Sequence, residues 1–275
     1  MTKRSVVSLL ICGGVIALLA ILFGVVFCLR NQNVKVVGDS PINVSREEII
    51  SSAGINNGQS IFMIDKNKAI SNIEAKYSHI KVIQIKTTNL MSIEIRVRAR
   101  HEMFYAQANE KYYILDEELK VLDILETTSS EPSQLIKIET GDLNIDSASM
   151  MCDFLGNKLQ QKITYNLFVA MNTVVTKQDE GNDVYLTRDD IRATLLNINF
   201  EDYESYNKIV ITTKYGVKLD IEKPQDDMQN KINICFSTIK QFIIDAKNKE
   251  QSGTIKIFYD INRNLKSIYI PDSVV

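Results

Sequence analysis

The chain has 275 residues, with 32 Lys and Arg against 34 Asp and Glu and a formal net charge of −2. With Lys3, Arg4 and Arg30 set aside, residues 31–275 stand near −5 (29 basic, 34 acidic), a mildly acidic surface that argues against nucleic acid or polyanion partners. Two of the four cysteines, Cys12 and Cys28, lie in the N-terminal apolar run, which excludes a dense disulfide framework and leaves open one bridge between Cys152 and Cys235.

After a tail of residues 1–4, Ser5 to Leu29 form a run without a single charge. At about 1.5 Å per residue, a helix of that length crosses a hydrocarbon core of roughly 30 Å with some tilt to spare. The rival is a cleaved signal, whose apolar region is usually about 7–15 residues and ends at a small-x-small site. Neither feature is present, and Val25, Val26 and Phe27 are too bulky for lipoprotein processing at Cys28. The run is therefore read as an uncleaved, single-pass anchor in contact with membrane lipid. Orientation stays open on charge alone, because Lys3, Arg4 and the amino terminus face Arg30 and Lys35, nearly a tie. The remaining chain suits one large or two modest domains.

Val34–Val37 is a short β-type run that ends at the Gly38-Asp39 turn. Ser45 opens a helix and Glu48 completes a capping-box pattern; Ile49, Ile50 and Ala53 supply its buried side, and Gly54 stops it. After Gly58 comes the short apolar segment Ser60–Ile64. Asp65 is placed to cap a second helix carrying Ala69, Ile70 and Ile73. Met91, Ile93, Ile95 and Val97 alternate with polar residues, opposite a strand holding Ile83, Ile85 and Thr87, which reads as a hairpin. Residues 31–99 thus form a β-α-α-β-β domain with two helices on one face of a half-buried sheet.

Residues 100–270 read as a larger antiparallel-sheet β domain with helices on one face, so the whole chain is α+β. Short apolar segments at 103–107, 112–115, 121–125 and 135–138 are separated by turn residues. A helical insertion is expected near 147–204, with a break near Gln161, a loop over Gln178–Asn182, and Thr187 capping a short helix before a strand at 195–200. Ile209–Thr213 and Val217–Ile221 flank a turn with Gly216. Met228, Ile232, Cys235, Ile239, Phe242 and Ala246 form an amphipathic stripe. Two strands, 254–261 and 266–270, close the domain before a tail of residues 271–275.

The segment VKVVGDSPINVSREEIISSAGINNGQSIFMID, following a single apolar run, resembles the opening of the POTRA domain of FtsQ/DivIB division proteins. Gly38, Ser45, Glu48, Ile49, Gly54, Gly58, Ile61, Phe62 and Asp65 carry the likeness in order and spacing. The text around Tyr112, Tyr113, Asp116 and Val121, and the closing IKIFYDINRNLKSIYI, extend it over nearly the whole chain. The chain departs from the family's pattern at Asn89-Leu90, at Arg98–His101, and in the length of the 147–204 region. The resemblance implies a non-enzymatic division scaffold with a cytoplasmic N-terminus and its bulk outside the cytoplasmic membrane. It further implies FtsB/DivIC-like and FtsL-like bitopic partners, a role in septal peptidoglycan synthesis, and no cofactor or small-molecule substrate.

Catalytic patterns are sparse. The only histidines are His79 and His101, and no Gly-x-Ser-x-Gly, His-Glu-x-x-His or P-loop occurs. Ser-x-x-Lys appears at Ser78, Ser205 and Ser237, but no Lys-Thr-Gly or Ser-Asp-Asn accompanies it. Glu117-Glu118 and Asp226-Asp227 sit at turns or helix starts, where carboxylates favour the helix dipole. Gly38, Gly54 and Gly58 allow turns, and Ile61 and Phe62 are expected to plug the small core. Function is therefore expected at an exposed sheet edge, where unpaired backbone groups accept a partner strand. The last strand, with Ser267, Ile268, Tyr269 and Ile270, is the candidate, joined by Tyr259 and Ile261 from the preceding strand. Two alternatives stand: an anchored envelope hydrolase with a site near 147–204, and a secretion or sporulation-channel component that assembles through the small domain.

Overall fold

The computed structural model describes residues 12–18, 21, 34–38, 44–56, 58–89, 92–139, 158–179, 182–201, 208–235 and 252–272. Residues 12–18 and 21 are helical, and the rest of the expected 5–29 anchor lies outside the described residues. Among the described residues no helix is long and apolar enough to cross a membrane. The chain divides into two units, Met1–Arg100 and His101–Val275.

In the first unit, β1 (Val34–Gly38), α1 (Arg46–Ser52), a 3-10 turn (Ile61–Met63), α2 (Lys66–Lys76), β2 (Ile80–Asn89) and β3 (Ser92–Ala99) follow one another. The sheet order is β1-β3-β2, with β1 parallel and β2 antiparallel to β3. Ser45 and Glu48 form the capping box: the Ser45 amide donates to the Glu48 carboxylate at 2.8 Å, and the Glu48 amide donates to the Ser45 hydroxyl oxygen at 3.2 Å. Asp65 caps α2 by accepting from the Lys68 amide at 3.0 Å. Both caps occupy amide donors that a helix start leaves without intrahelical partners. Ile49, Ile61, Ala69 and Ile73 then bury against Val36, Ile93, Ile95 and Val97. Gly38 sits at φ +115°, and a Cβ there would run into the Val97 carbonyl oxygen, so the parallel pairing of β1 requires glycine at this position. Buried Arg100 donates to Glu74 at 3.3 Å, while Glu74 also accepts from the Val82 amide at 2.9 Å.

Two expectations for this unit fail. Phe62 does not plug the core: it is 71% exposed, because the one-turn 3-10 segment points Ile61 inward and turns the next two side chains out. Ile83 does not share a face with Ile85, because an irregularity in register between Val82 and Gln84 shifts the alternation. Ile80, Val82 and Ile85 are buried instead.

The second unit is built on one nine-stranded sheet of order β14-β13-β12-β11-β10-β7-β4-β5-β6. Its strands are β4 (Phe104–Ala108), β5 (Lys111–Leu115), β6 (Val121–Glu126), β7 (Ile136–Glu139), β10 (Leu195–Glu201), β11 (Lys208–Thr213), β12 (Val217–Glu222), β13 (Gly253–Tyr259) and β14 (Leu265–Pro271). The sheet is mixed rather than purely antiparallel: β4/β7, β7/β10 and β12/β13 are parallel. A long connection brings the chain back to start a neighbour in the same direction, and helices lie in two of these three returns. They are α3 (Lys158–Asn172) with α4 (Arg188–Thr194) between β7 and β10, and helical residues 228–235 between β12 and β13.

Those helices cover one face. Ile163, Leu167, Phe168, Ile191, Met228 and Ile232 pack with Phe200, Ile211, Leu219 and Ile257 in the main core. The opposite face has its own small cluster of Tyr105, Tyr112, Ile114 and Leu135 at the β4–β5 side. There the Tyr105 hydroxyl donates to Glu131 at 2.6 Å, and burial with this carboxylate pushes the phenol well above its usual range.

No break occurs at Gln161: α3 runs through it, since Gln161 and Lys162 are ordinary helix formers. Of the expected loop at 178–182, Gln178, Asp179 and Asn182 are strand residues, and 180–181 lie outside the described residues. β8 (Val175–Asp179) and β9 (Asn182–Tyr185) pair as a hairpin, favoured by β-branched Val175 and Thr176. Thr187 and Asp190 form a second capping box at α4. Ile239, Phe242 and Ala246 of the amphipathic stripe, and Cys152, lie outside the described residues, while Cys235 is a buried free thiol.

Candidate partner-binding edge

Among the described strands, β14 and β6 are the two edges of the large sheet. They are unequal templates. Val121 and Leu122 of β6 are fully buried, and Asp123 and Glu126 place charge on its exposed half; charge and covered faces protect an edge. β14 is seven residues long and pairs with β13 from Gly253↔Pro271 to Tyr259↔Leu265. Its alternation puts Leu265, Ser267 and Tyr269 on the core face and Lys266, Ile268 and Ile270 on the other. Ile268 is 50% and Ile270 is 44% exposed.

The tyrosines are anchored. Tyr269 covers Gly253: a Cβ added there would stand 2.5 Å from its Cε2 atom and 2.7 Å from the Ile270 carbonyl oxygen. Its hydroxyl donates to the Ser252 carbonyl at 3.1 Å. Tyr259 donates to Asp227 at 2.9 Å, and the Lys231 ammonium stands 5.2 Å from its ring centroid. Asp227 is held below the usual carboxylate range by hydrogen bonds from Asn230 and then Tyr259. Ile261 does not belong to the strand. It sits in the link after β13, 99% exposed, because Asp260 ends the strand by accepting from the Asn262 and Asn264 amides at 2.9 and 2.8 Å.

Sequence reasoning missed Lys231. This lysine is fully buried and donates to the Glu222 and Lys223 carbonyls at 2.9 and 2.7 Å; desolvation lowers its pKa. The signal was its position three residues after Met228, on the apolar stripe of the helix.

The face opposite the helices carries a concave patch of about 770 Å³ that reaches Ile270. Lys208 stands in it between Glu201 at 2.8 Å and Asp220 at 3.2 Å. The Glu201 partner raises the Lys208 pKa, which keeps the amine protonated and unfit as a base or nucleophile. The patch has polar groups, as the hydrolase alternative requires, but its lining contains no Ser, Cys or His. Ser78-His79 lies in the first unit, at the start of β2. Among the described residues no group of three or more His, Cys, Asp or Glu could hold a metal ion.

A three-stranded β1-β3-β2 sheet backed by two helices, followed by a domain built on a nine-stranded sheet, is the architecture of a POTRA-bearing protein. Residues 29–100 match the family described as POTRA domain, FtsQ-type. The chain is 24% identical over 231 residues to "Cell division protein DivIB" of Clostridium botulinum (strain Loch Maree / Type A3), covering 84% of this chain and 79% of the relative. To the protein of the same name from Clostridium acetobutylicum it is 27% identical over 208 residues, covering 74% of this chain and 72% of the relative. The Clostridium tetani protein of that name is 24% identical, over 79% of this chain and 74% of its own length. The FtsQ-type POTRA match over residues 29–100 and the DivIB relatives over most of the chain together support the FtsQ/DivIB family of cell division proteins.

Proposed function

We propose that the chain is a non-enzymatic division scaffold, held in the cytoplasmic membrane by residues 5–29 with its N-terminus inside and its bulk outside. In this reading it captures extended segments of FtsB/DivIC-like or FtsL-like bitopic partners and so supports septal peptidoglycan synthesis. The observation that carries the reading is β14: an edge strand whose outer face shows Ile268 and Ile270 beside a concave polar surface. Strand addition there supplies backbone hydrogen bonds for affinity, and alternate side chains supply selectivity. Anchoring both partners in one membrane raises their effective concentration toward each other. Tyr259 and Tyr269 hold the hairpin that presents the edge, and Ser267 lies exposed on the same sheet face.

The test places a photoreactive residue at Ile268, with Tyr215 in the β11–β12 turn as control. Capture of a small bitopic division protein at 268 alone is expected, and the pair Ile268→Lys with Ile270→Lys should abolish it while leaving the melting temperature unchanged. Equal capture at both positions, or capture by the lysine pair, would remove the basis for the edge mechanism.

A further inference from the structure

The first unit exposes a large apolar pair near the end of its sheet at which β1 begins. Phe62 is 71% and Met63 77% exposed, and both follow buried Ile61 in a single 3-10 turn. The strand registers fix the end of the unit at which they stand. Val34 pairs with Ile93, and Ile93 with Thr87, so the chain enters β1 at the Thr87 end of the sheet. At the other end, the Ile80 amide donates to the Tyr77 carbonyl, and Glu74 of α2 meets the Val82 amide. The C-terminus of α2 therefore lies at the Ile80 end. Laid along the strands it packs on, a helix of this length runs about 15 Å back from there, which puts Lys66 and the preceding 3-10 turn toward the entry end. Lys35, Lys66, Lys68 and Lys86 are all exposed on this half of the unit. The carboxylates nearest to them in sequence and register are engaged: Asp65 caps α2, and Glu94 pairs with Arg96 at 2.9 Å.

We propose that Phe62 and Met63, with Lys66 and Lys68 beside them, are an interfacial contact that docks the first unit on the anionic lipid surface of the membrane anchoring the chain. The inference rests on the anchor reading. From Leu29, the last residue of the apolar run, to Val34 the chain spans at most about 18 Å, so the entry end of the sheet cannot leave the headgroup region by more than that. An aromatic ring and a flexible thioether on one turn suit the boundary between headgroups and acyl chains, and lysines around them suit anionic headgroups. Tethering makes a contact too weak for a free domain effective, because binding is then intramolecular. The consequence is orientation: a docked first unit holds its sheet at a set angle to the membrane.

The chain contains no tryptophan, so Phe62→Trp and, at the far end of α2, Tyr77→Trp each give a single fluorescent reporter. Each full-length variant is reconstituted in phosphatidylcholine vesicles, and in vesicles with about 30 mol % phosphatidylglycerol, carrying brominated acyl chains. Co-flotation with the neutral vesicles reports the anchor; quenching reports docking. The expected result is flotation with both compositions and, with phosphatidylglycerol, severalfold stronger quenching of the indole in Phe62→Trp than in Tyr77→Trp. That difference should vanish in high salt or when Lys66→Glu and Lys68→Glu are added. Flotation with the two reporters equally unquenched overturns the docking while sparing the anchor. Blue-shifted but unquenched emission from Phe62→Trp also overturns it, and points to protein, such as a second copy, over the turn. Failure to float with either composition overturns the anchor reading, and the docking with it.

Discussion

Gly253→Ala is the sharpest test of how the candidate edge is built. The added methyl would stand 2.5 Å from Tyr269 Cε2, 2.6 Å from its hydroxyl and 2.7 Å from the Ile270 carbonyl oxygen. The ring can swing aside only by giving up its 3.1 Å hydrogen bond to Ser252, and the Ile270 oxygen is backbone, so β14 itself must shift. Overpacking of this kind costs about 1–3 kcal/mol, and the hydrogen bond adds about 1 kcal/mol. For a unit of this size, each kcal/mol lowers the melting temperature by about 2–4 °C. A fall of roughly 5–15 °C is expected by calorimetry, with faster amide exchange confined at first to β13 and β14. The decisive comparison is the double variant. In a Tyr269→Ala background the penalty of Gly253→Ala should fall by at least half, since only the Ile270 contact remains. An equal penalty in both backgrounds would refute the claim that the ring on Gly253 holds the edge in place.

Gly38→Ala should destabilise the first unit by about 2 kcal/mol or more, because the positive φ alone costs roughly 1–2 kcal/mol for a residue with a Cβ and the Val97 carbonyl blocks the methyl; exchange of the β1 and β3 amides measures it. Lys231→Met should cost about 1–3 kcal/mol by leaving the Glu222 and Lys223 carbonyls buried without their donor. A thermal melt in which this variant matched the parent would show that the burial of this charge offsets those bonds. The two capping boxes predict an acid response. Folding lowers the pKa of Glu48 from 4.5, through hydrogen bonds from Ser45, and that of Asp190 from 3.8, through hydrogen bonds from Thr187. A depressed carboxyl pKa contributes stability above the unfolded value, and that stability is lost as pH falls through the folded one. Fraying of α1 should therefore begin below pH 4.5 and of α4 below pH 3.8, seen in the exchange of the Ser45 and Thr187 amides. Ser45→Ala and Thr187→Ala should each abolish its own response.

What the chain alone determined was mostly local. Ser45 with Glu48, Asp65, Thr187 and Gly216 announce helix starts and a hairpin because capping and turn chemistry act over two to four residues. The alternation of Ile93, Ile95 and Val97 announces β3 because one sheet face is buried and the other is not. Tertiary structure decided the rest. Ile83 turned outward because a register irregularity, visible only against the partner strand, broke the period. Phe62 turned outward because a one-turn 3-10 segment has room for one inward side chain. Parallel pairing of β12 with β13, and the placement of β14 at the sheet's edge, depend on how connections longer than a hairpin return, which no local pattern encodes. The Lys231 ammonium, the Tyr259 ring and the Asp227 carboxylate meet only once that return is made. The candidate edge was legible as a terminal apolar strand, whereas its anchoring by Gly253 under Tyr269 was not, because close packing joins residues sixteen positions apart through a geometry that sequence spacing does not carry.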